Sequence, residues 1–301
     1  MRKELRKEML ELCSNGAKAI KTGDFQKALK NYQEAKKIAT TLKDQNAIHK
    51  CMANLSLVYV ELGEYKKAEE GLREVIISST DDRVIFGASY CLAISLRRQG
   101  KYAQALKYAA KALQKSIAMN DLDAEARVHN LLGNIHLFQS YIDEAISEYL
   151  KALEIRRASR EDNKFSLAIL KENIGYSLIL KKDYPNGIRY IKEAMNLAKV
   201  IGDRRCLSEC YQDLCYAYML LRKLKDAEKT GDNALHLSLD HGYRDIEKNC
   251  YYLLGEINFL KGNPEKMEQY FQKLQEFYPH LPFLKEFLKE FDVSEFITLK
   301  Q

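Results

Sequence analysis

The chain has 301 residues, of which 46% are apolar and 30% are charged, a balance typical of a well-packed protein rather than a disordered one. Its net charge of +6 comes from 48 basic and 42 acidic residues that are interleaved, so the basic face that nucleic-acid binding requires is not indicated. With 14 glycines, 4 prolines and no linker rich in either, the composition favours helices throughout.

Cysteine usage and hydropathy indicate the cellular compartment. The seven cysteines include no Cys-x-x-Cys pair, which argues against a disulfide framework and against a zinc site. The N-terminal segment is charged rather than apolar, and no window approaches the ~18 consecutive apolar residues of a membrane span. We therefore expect a cytoplasmic protein with no membrane insertion, no metal and no cofactor.

One pattern returns seven times along the chain: a small residue, then a turn, then a second small residue twelve positions after the first. Successive copies begin 37 to 42 residues apart, whereas the internal gap of twelve never changes, and a third apolar position follows seven residues later. The first small residues are Gly16, Ser56, Ala93, Gly133, Gly175, Cys215 and Gly255. The second positions hold Ala28, Ala68, Ala105, Ala145, Gly187, Ala227 and Met267.

The constant gap predicts a helix hairpin of fixed geometry. Two antiparallel helices approach closely only where side chains are small, so we expect the two small residues of each copy to face each other, as Gly133 and Ala145 would. Gly23 and Gly63 lie between the two helices, where glycine is suited to ending the first. Because one hairpin cannot bury its apolar faces alone, neighbouring hairpins are predicted to stack into a solenoid.

The small residues and the intervening Gly-charged-aromatic turn, as in Gly23-Asp24-Phe25, resemble the tetratricopeptide repeat. This resemblance implies an all-α fold, a right-handed superhelical solenoid of seven helix hairpins plus a C-terminal capping helix. The copies exceed the usual 34-residue period by about six residues, and so resemble a subclass of ~40 residues found in spindle-orientation adaptors and bacterial peptide-sensing regulators. We assign the solenoid to residues 4–278, with repeats at about 4–43, 44–80, 81–120, 121–160, 161–202, 203–242 and 243–278.

Residues 279–301 follow the last repeat and carry an apolar stripe at helical spacing. A terminal hairpin leaves one apolar face uncovered, so we expect a capping helix and tail here, and a helix that docks onto a partner is the alternative. The stripe consists of Phe283, Leu284, Phe287, Leu288 and Phe291.

The sequence contains no recognisable catalytic motif. Phosphate-binding loops, Gly-x-Ser-x-Gly and His-Glu-x-x-His are all missing, so we expect no enzymatic activity. His129 and His136 lie seven residues apart on one helix face, but tyrosines hold the same repeat positions elsewhere, which favours helix packing over a metal site. The cluster of Cys206, Cys210 and Cys215 is interpreted in the same way, as small buried side chains.

The resemblance also implies where a ligand would lie. In tetratricopeptide repeat proteins the first helix of each hairpin lines a concave groove, and its second, fifth and ninth positions contact the ligand. These positions and their neighbours are rich here in amides, which satisfy polypeptide backbone, and in tyrosines, which give broad contact. The predicted partner-binding groove consists of Lys50, Asn54, Arg97, Arg127, Asn130, Asn134, Glu172, Asn173, Tyr176, Glu209, Gln212, Tyr216, Tyr252 and Glu256.

Charge is segregated within this set, with the basic residues in repeats two to four and the acidic residues in repeats five to seven. We therefore expect acidic ligand residues toward the earlier repeats and basic ones toward the later repeats. Repeat four, at the centre, places Arg127, Asn130 and Asn134 on its groove positions, all polar and none acidic.

These features predict a scaffold or adaptor that binds a peptide or helical segment of a partner protein. The alternative is a signalling regulator that senses a peptide. Such regulators usually carry an N-terminal helical domain, for which repeats starting near Met1 leave no room, so we expect either that it acts through protein contacts alone or that this chain is one piece of a larger protein. RNA binding is disfavoured because the groove tyrosines lie beside acidic residues. Binding of chaperone tails is not supported either, since only Asn54 matches the clamp residues of that specialisation.

Overall fold

The structure is a computed structural model, and it describes residues 2–21, 23–158, 163–290 and 299. The chain divides into two compact units, an N-terminal unit of residues 1–155 and a C-terminal unit of residues 156–301. All regular structure in the described residues is helical, which confirms the predicted all-α fold class.

Helices α1 to α7 belong to the N-terminal unit, the division falls within α8, and the remaining helices belong to the C-terminal unit. The first eight are α1 (Arg2–Lys21), α2 (Phe25–Leu42), α3 (Gln45–Glu61), α4 (Tyr65–Ser78), α5 (Asp82–Arg98), α6 (Tyr102–Ala118), α7 (Leu122–Phe138) and α8 (Ile142–Ala158). The others are α9 (Lys164–Leu180), α10 (Tyr184–Ile201), α11 (Arg204–Leu220), α12 (Leu224–His241), α13 (Arg244–Leu260), α14 (Pro264–Gln275) and α15 (Leu284–Glu290).

Consecutive helices pair as hairpins through the small residues of the repeat. Among the second small positions, Ala28, Ala68 and Ala105 are fully buried, and so are the third positions such as Ala35 and Ala112. Short side chains at these points allow the two helices to pack at close range. The repeat pattern therefore identifies the helix-packing positions correctly.

The contact partner of the first small residue differs from the expected one. A Cβ atom added to Gly133 would overlap the ring of Tyr149, not Ala145, and one added to Gly175 would lie 2.7 Å from Cδ1 of Ile191. The partner lies sixteen positions later because that residue is one helical turn further along the second helix and points back at the glycine. Gly175 also approaches its predicted partner, with its Cβ position 2.9 Å from the carbonyl oxygen of Gly187.

The turn inside each hairpin has the same backbone conformation in all seven copies. One residue has a positive φ, between 57° and 75°, at every copy. In four copies this residue is glycine, for which the left-handed region carries no steric penalty. In the other three copies the residue has a side chain, and its Cβ makes the left-handed conformation less favourable. The residues are Gly23, Gly63, Gly100, Ser140, Lys182, Arg222 and Gly262.

Several helices begin at an aspartate that caps the exposed backbone amides. The carboxylate of Asp121 accepts a hydrogen bond of 2.9 Å from the amide of Ala124 at the start of α7, and Asp203 caps α11 in the same way. Such caps stabilise a helix by about 1 kcal/mol each. They fix where α7 and α11 begin, and hence the register of the side chains on these helices.

The segment after the last hairpin contains one short helix in the described residues. Helix α15 lies against α14, where Leu288 is buried and Lys285 forms an ion pair of 2.6 Å with Glu268. Phe283 and Phe287 of the predicted stripe remain exposed, and Phe291 lies outside the described residues. Capping of the solenoid by residues 279–301 stays a prediction.

Among the described helices, none is long and apolar enough to cross a bilayer. All seven cysteines are free thiols, and Cys206, Cys210 and Cys215 are buried as the packing interpretation expects.

Replacing Gly133 with alanine tests the close approach. The added methyl group overlaps the ring of fully buried Tyr149, so we expect Gly133→Ala to lower the free energy of unfolding by about 1–3 kcal/mol. The matched control is Gly87→Ala in α5, where an added Cβ meets nothing within 4 Å and should stabilise by about 0.5–1 kcal/mol. Urea unfolding measures both, and equal effects would contradict the packing model.

Candidate functional site

The predicted groove residues lie on the first helix of each hairpin, and these helices contact one another within each unit. In the N-terminal unit α3 contacts α5 and α5 contacts α7, and in the C-terminal unit α11 contacts both α9 and α13. The residues therefore form two sets, one on each unit: an N-terminal surface from Lys50 to Asn134 and a C-terminal surface from Glu172 to Glu256.

Arg127 lies on α7 of the N-terminal surface and stacks against aromatic side chains of α5. Its guanidinium carbon lies 5.4 Å from the ring centroid of Phe86 and 5.7 Å from that of Tyr90. Its Nε also forms an ion pair of 3.1 Å with Asp123, one turn earlier on α7. The aromatic faces and the carboxylate hold the guanidinium in place, with nearly half of the side chain exposed to solvent.

The other basic residues occupy neighbouring positions on α3 and α5. Arg97 places its guanidinium carbon 5.0 Å from the ring centroid of Phe138 on α7, and burial lowers its pKa from the usual 12.5, with a further contribution from Arg98. Lys50 lies 3.9 Å from Asp81 and is largely exposed. The predicted cations thus lie on α3, α5 and α7 of one unit. Asn54, also predicted, is half-buried on α3.

Asn130 and Asn134 differ in their roles. Both are half-buried on α7, but the side-chain oxygen of Asn134 accepts a hydrogen bond of 2.7 Å from the hydroxyl of Tyr149. Tyr149 is the same side chain that fills the space above Gly133. Asn134 therefore also braces its own hairpin, a structural role that the sequence interpretation did not assign to it.

His129 is a packing residue with two acidic neighbours, Glu148 and Glu125. It is largely buried on α7, and its Nδ1 lies 2.6 Å from Oε2 of Glu148 on α8. Burial alone would raise the pKa of Glu148, but the hydrogen bonds from His129 and Lys151 outweigh it and lower that pKa from 4.5 to about 2. The hydrogen bond between His129 and Glu148 links α7 to α8.

The C-terminal surface is covered rather than open. Of its eight predicted residues, seven are buried, and only Glu209 is partly exposed. The side chains of Tyr176 and Tyr216 lie against each other, with ring centroids 6.5 Å apart. The buried residues are Glu172, Asn173, Tyr176, Gln212, Tyr216, Tyr252 and Glu256.

One residue near the C-terminus accounts for part of this cover. The backbone amide of Leu299 donates a hydrogen bond of 2.9 Å to the hydroxyl oxygen of Tyr176. The carbonyl oxygen of Leu299 accepts one of 2.9 Å from the side-chain amide of Asn249, which also donates to Gln212 at 3.1 Å. Leu299 itself is only 4% exposed. A residue near the C-terminus of the same chain therefore lies on the predicted site.

Asn249 and Asp213 are functional candidates that the predicted set omits. Asn249 occupies the second position of its helix, the same place as Arg127, so the repeat register was sufficient to find it. Asp213 directly follows Gln212 and is fully buried, and burial raises its pKa well above the ordinary value. It is close enough to Tyr176 to add to the effect of burial in raising the pKa of that tyrosine.

Acidic groups give the C-terminal surface its electrostatic character. Burial raises the pKa of Glu209 from 4.5 to about 7, against the opposing effect of Arg205, with which it forms an ion pair of 3.2 Å. Glu172 and Glu256 are buried on α9 and α13. A surface of this kind can bind polypeptide backbone through its amide and hydroxyl groups, and it favours a cation over an anion.

Comparison with known families identifies the repeat. Models of the tetratricopeptide repeat match residues 85–158 and residues 249–280, which correspond to α5–α8 and α13–α14.

Among curated proteins, the transcriptional activator NprA of Geobacillus stearothermophilus is 26% identical over 131 residues, or 44% of this chain. The matched region spans only 31% of NprA.

Three solved structures share the fold. A signal-transduction ATPase with a tetratricopeptide repeat sensor from Pyrococcus horikoshii has a TM-score of 0.72 at 22% identity, covering 96% of this chain and 44% of the other. The apo quorum sensor NprR of B. thuringiensis gives 0.71 at 17%, with 90% and 76% covered. The Rap conjugation gene regulator of plasmid pLS20, in complex with the Phr* peptide, gives 0.64 at 12%, with 93% and 77% covered.

Asn134→Ala should reduce stability, because the buried hydroxyl of Tyr149 loses an acceptor. We expect a loss of about 1 kcal/mol in the free energy of unfolding. Gln114→Ala, at an exposed position of α6, should leave it unchanged within about 0.5 kcal/mol. Chemical denaturation of the two variants checks this, and an equal loss in both would remove the bracing role.

Glu148→Gln should weaken the protein in a pH-dependent way. Because the folded pKa of Glu148 is depressed from 4.5 to about 2, its ionised form stabilises the fold above pH 4.5, and that stabilisation disappears as pH falls toward 2. We expect a loss of about 2 kcal/mol at pH 7 that shrinks steadily between pH 4.5 and pH 2. Glu154→Gln, exposed on the same helix, is the control, and a difference that does not change with pH would refute the assignment.

Proposed function

We propose that this chain, in which residues 85–158 and 249–280 match models of the tetratricopeptide repeat, is a non-catalytic adaptor that binds a peptide or helical segment of a partner protein. The binding surface is formed by the first helices of its hairpins. The predicted contact residues lie on α3, α5 and α7 of the N-terminal unit and on α9, α11 and α13 of the C-terminal unit.

The observation that carries this proposal is the way in which Leu299 is held. A backbone amide and a backbone carbonyl, the two groups that every peptide presents, are bound by Tyr176 and Asn249. Both side chains stand at positions where the repeat resemblance implies ligand contact. A surface whose side chains bind the backbone amide and carbonyl of one residue is suited to binding a peptide.

Each surface favours a different ligand charge. On the N-terminal unit, the guanidinium groups of Arg97 and Arg127 lie over aromatic rings. Within the described contacts, no carboxylate forms an ion pair with Arg97. An acidic ligand residue suits that surface. On the C-terminal unit, the acidic side chains of Glu172 and Glu256 favour a basic one.

A second candidate function is a signalling regulator that senses a peptide and acts through protein contacts. The structural similarity to the quorum sensor NprR and to a Rap regulator in complex with a peptide favours it, as does the partial match to the activator NprA. Both candidates require peptide binding by the same surfaces. They differ in whether the bound peptide changes the affinity for a second protein.

Peptide binding can be tested by selecting displayed random peptides on the immobilised full chain. We expect enriched peptides to bind at least tenfold more weakly, by about 1.4 kcal/mol, to Asn130→Ala or to Asn249→Ala, because each loses an amide that contacts peptide backbone. Gln114→Ala on α6 and Asn196→Ala on α10 are matched controls, because both residues are exposed on the second helix of their hairpin. Fluorescence anisotropy gives the affinities.

The proposal fails if no peptide is enriched, or if enriched peptides bind the four variants equally. Enrichment of nucleic acid rather than peptide on the same protein would also overturn it.

A further inference from the structure

Two thiols of the N-terminal unit lie against each other. Sγ of Cys13 on α1 and Sγ of Cys51 on α3 are 4.0 Å apart, although the two residues are separated by 38 positions in the sequence. A disulfide bond is about 2.05 Å long, so the sulfurs must approach by about 2 Å, a movement that rotation about the two Cα–Cβ bonds supplies. The pair therefore has the proximity that disulfide formation requires.

The two sulfurs differ in their access to solvent. Cys51 is 1% exposed and packs with the buried side chains of Met9, Ala35 and Ala39. Cys13 packs against the same apolar cluster but is partly exposed. A small oxidant in solution therefore reaches Cys13, whereas Cys51 is shielded from it.

The negative charge of the pair lies on Cys13. The thiol of Cys51 donates a hydrogen bond to the sulfur of Cys13, which lowers the pKa of Cys13 from 9.0 to about 7 against the opposing effect of burial. The same hydrogen bond, together with burial, raises the pKa of Cys51. This direction follows from exposure, because the more hydrated sulfur carries a charge at lower cost. Near neutral pH, Cys13 is thus partly a thiolate, the form of cysteine that reacts with oxidants.

Two ionisable side chains of α2 face the pair. Burial, together with the charges on Cys13 and Cys51, raises the pKa of Tyr32 to about 12, so its phenol stays neutral beside the sulfurs. The positive charge of Lys36 favours the thiolate form of Cys51 and partly offsets the rise in the pKa of that thiol. The surroundings thus support a charge on either sulfur in turn.

We propose that Cys13 and Cys51 form a peroxide-responsive modification site, in which Cys13 is oxidised first and Cys51 resolves the product as a disulfide between α1 and α3. This inference is independent of the proposed peptide binding.

The reaction proceeds in two balanced steps. The thiolate sulfur of Cys13 attacks one oxygen of a peroxide, ROOH; an S–O bond forms, the O–O bond breaks, and the alkoxide leaves and takes a proton from solvent to give ROH, with a sulfenic acid on Cys13. Cys51 then loses its proton to solvent and its thiolate attacks the sulfur of Cys13; the S–S bond forms, the S–O bond breaks, and the departing hydroxide takes up a proton to give water. The two thiols lose two electrons in all, and the peroxide gains them.

The cross-link joins the first helices of two successive hairpins. Cys13 stands at the fifth position of α1, and α3 carries Lys50 and Asn54 of the predicted groove. A covalent bond between α1 and α3 restricts the motion of one hairpin relative to the next.

Other cysteines of the chain provide internal comparisons. Cys91 on α5 is also partly exposed, but burial raises its pKa to about 12, so it remains a thiol. Cys206 and Cys210 are four positions apart on one helix, where Cβ atoms are about 5–6 Å apart, farther than the ~4.5 Å that a disulfide spans. Neither place combines a thiolate with a second thiol in reach.

The experiment treats the folded full chain with hydrogen peroxide, alkylates the remaining thiols and maps the products by mass spectrometry. We expect a disulfide that joins the tryptic peptides of residues 8–18 and 51–66, each of which holds one cysteine, and we expect dithiothreitol to reverse it. With dimedone present, Cys51→Ala should carry at least tenfold more adduct on Cys13 than the unmodified protein, because the sulfenic acid is no longer resolved.

Cys91→Ala is the matched control, since it removes a partly exposed cysteine of the same unit. This variant should form the disulfide to the same extent as the unmodified protein, whereas Cys13→Ala should form neither the disulfide nor the adduct on that peptide. A second measurement needs no variant: in the unmodified protein, iodoacetamide should alkylate Cys13 at least tenfold faster than Cys91.

Three results would overturn the proposal. The first is peroxide treatment that gives no cross-link between the two peptides, and the second is equal alkylation rates of Cys13 and Cys91. The third is a product dominated by dimers linked through Cys13, because Cys51 would then not be the resolving thiol.

Hydrogen exchange tests the effect on the helices. In the oxidised protein the amides of α1 should exchange at least tenfold more slowly, because local opening of α1 must then carry α3 with it. Peroxide-treated Cys13→Ala should exchange as fast as the untreated variant. Unchanged exchange in a protein whose disulfide has formed would refute the coupling of the two helices.

Discussion

The close approach of two helices at one small residue is the constraint on which the rest of the molecule depends. At Gly133 and Gly255 the space that a side chain would occupy is filled by an aromatic ring from the following helix. Because the two residues of this contact are only sixteen positions apart, the geometry of each helix pair is determined within its own hairpin. Neighbouring hairpins contribute the stacking of one pair on the next. The rotation of the first helix is thereby fixed, and so is the identity of the residues on its opposite face.

The same register leads to two different surfaces. On the N-terminal unit the face opposite the packing contact carries cations supported by aromatic rings, with Arg127 reaching solvent. On the C-terminal unit the equivalent face carries amides, tyrosines and carboxylates, and Leu299 lies on it. The difference arises from side-chain chemistry rather than from backbone, since the turns share one conformation in all copies.

The sequence predicts what depends on local packing and misses what depends on distant contacts. The burial of Ala28 and Ala105 follows from spacing alone, because helix pairing within a hairpin is a short-range event. The overlap between Gly133 and Tyr149 could also have been predicted, since a large residue stands sixteen positions after each of the four glycines at the first small position. The contact of Leu299 with Tyr176 has no periodic signal, and no pattern in the sequence relates residues 123 positions apart.

The size relation at the packing contact has a consequence for recombination between hairpins. Gly16, Gly133 and Gly255 are matched by Tyr32, Tyr149 and Phe271, whereas Ala93 stands sixteen positions before Ala109 in the same register. Joining α7 to a copy of α6 would leave a void where Tyr149 belongs, and joining α5 to a copy of α8 would force a ring against a methyl group. The exchangeable unit of this architecture is the whole hairpin, and chimeras divided at the turn would carry the mismatch into the core.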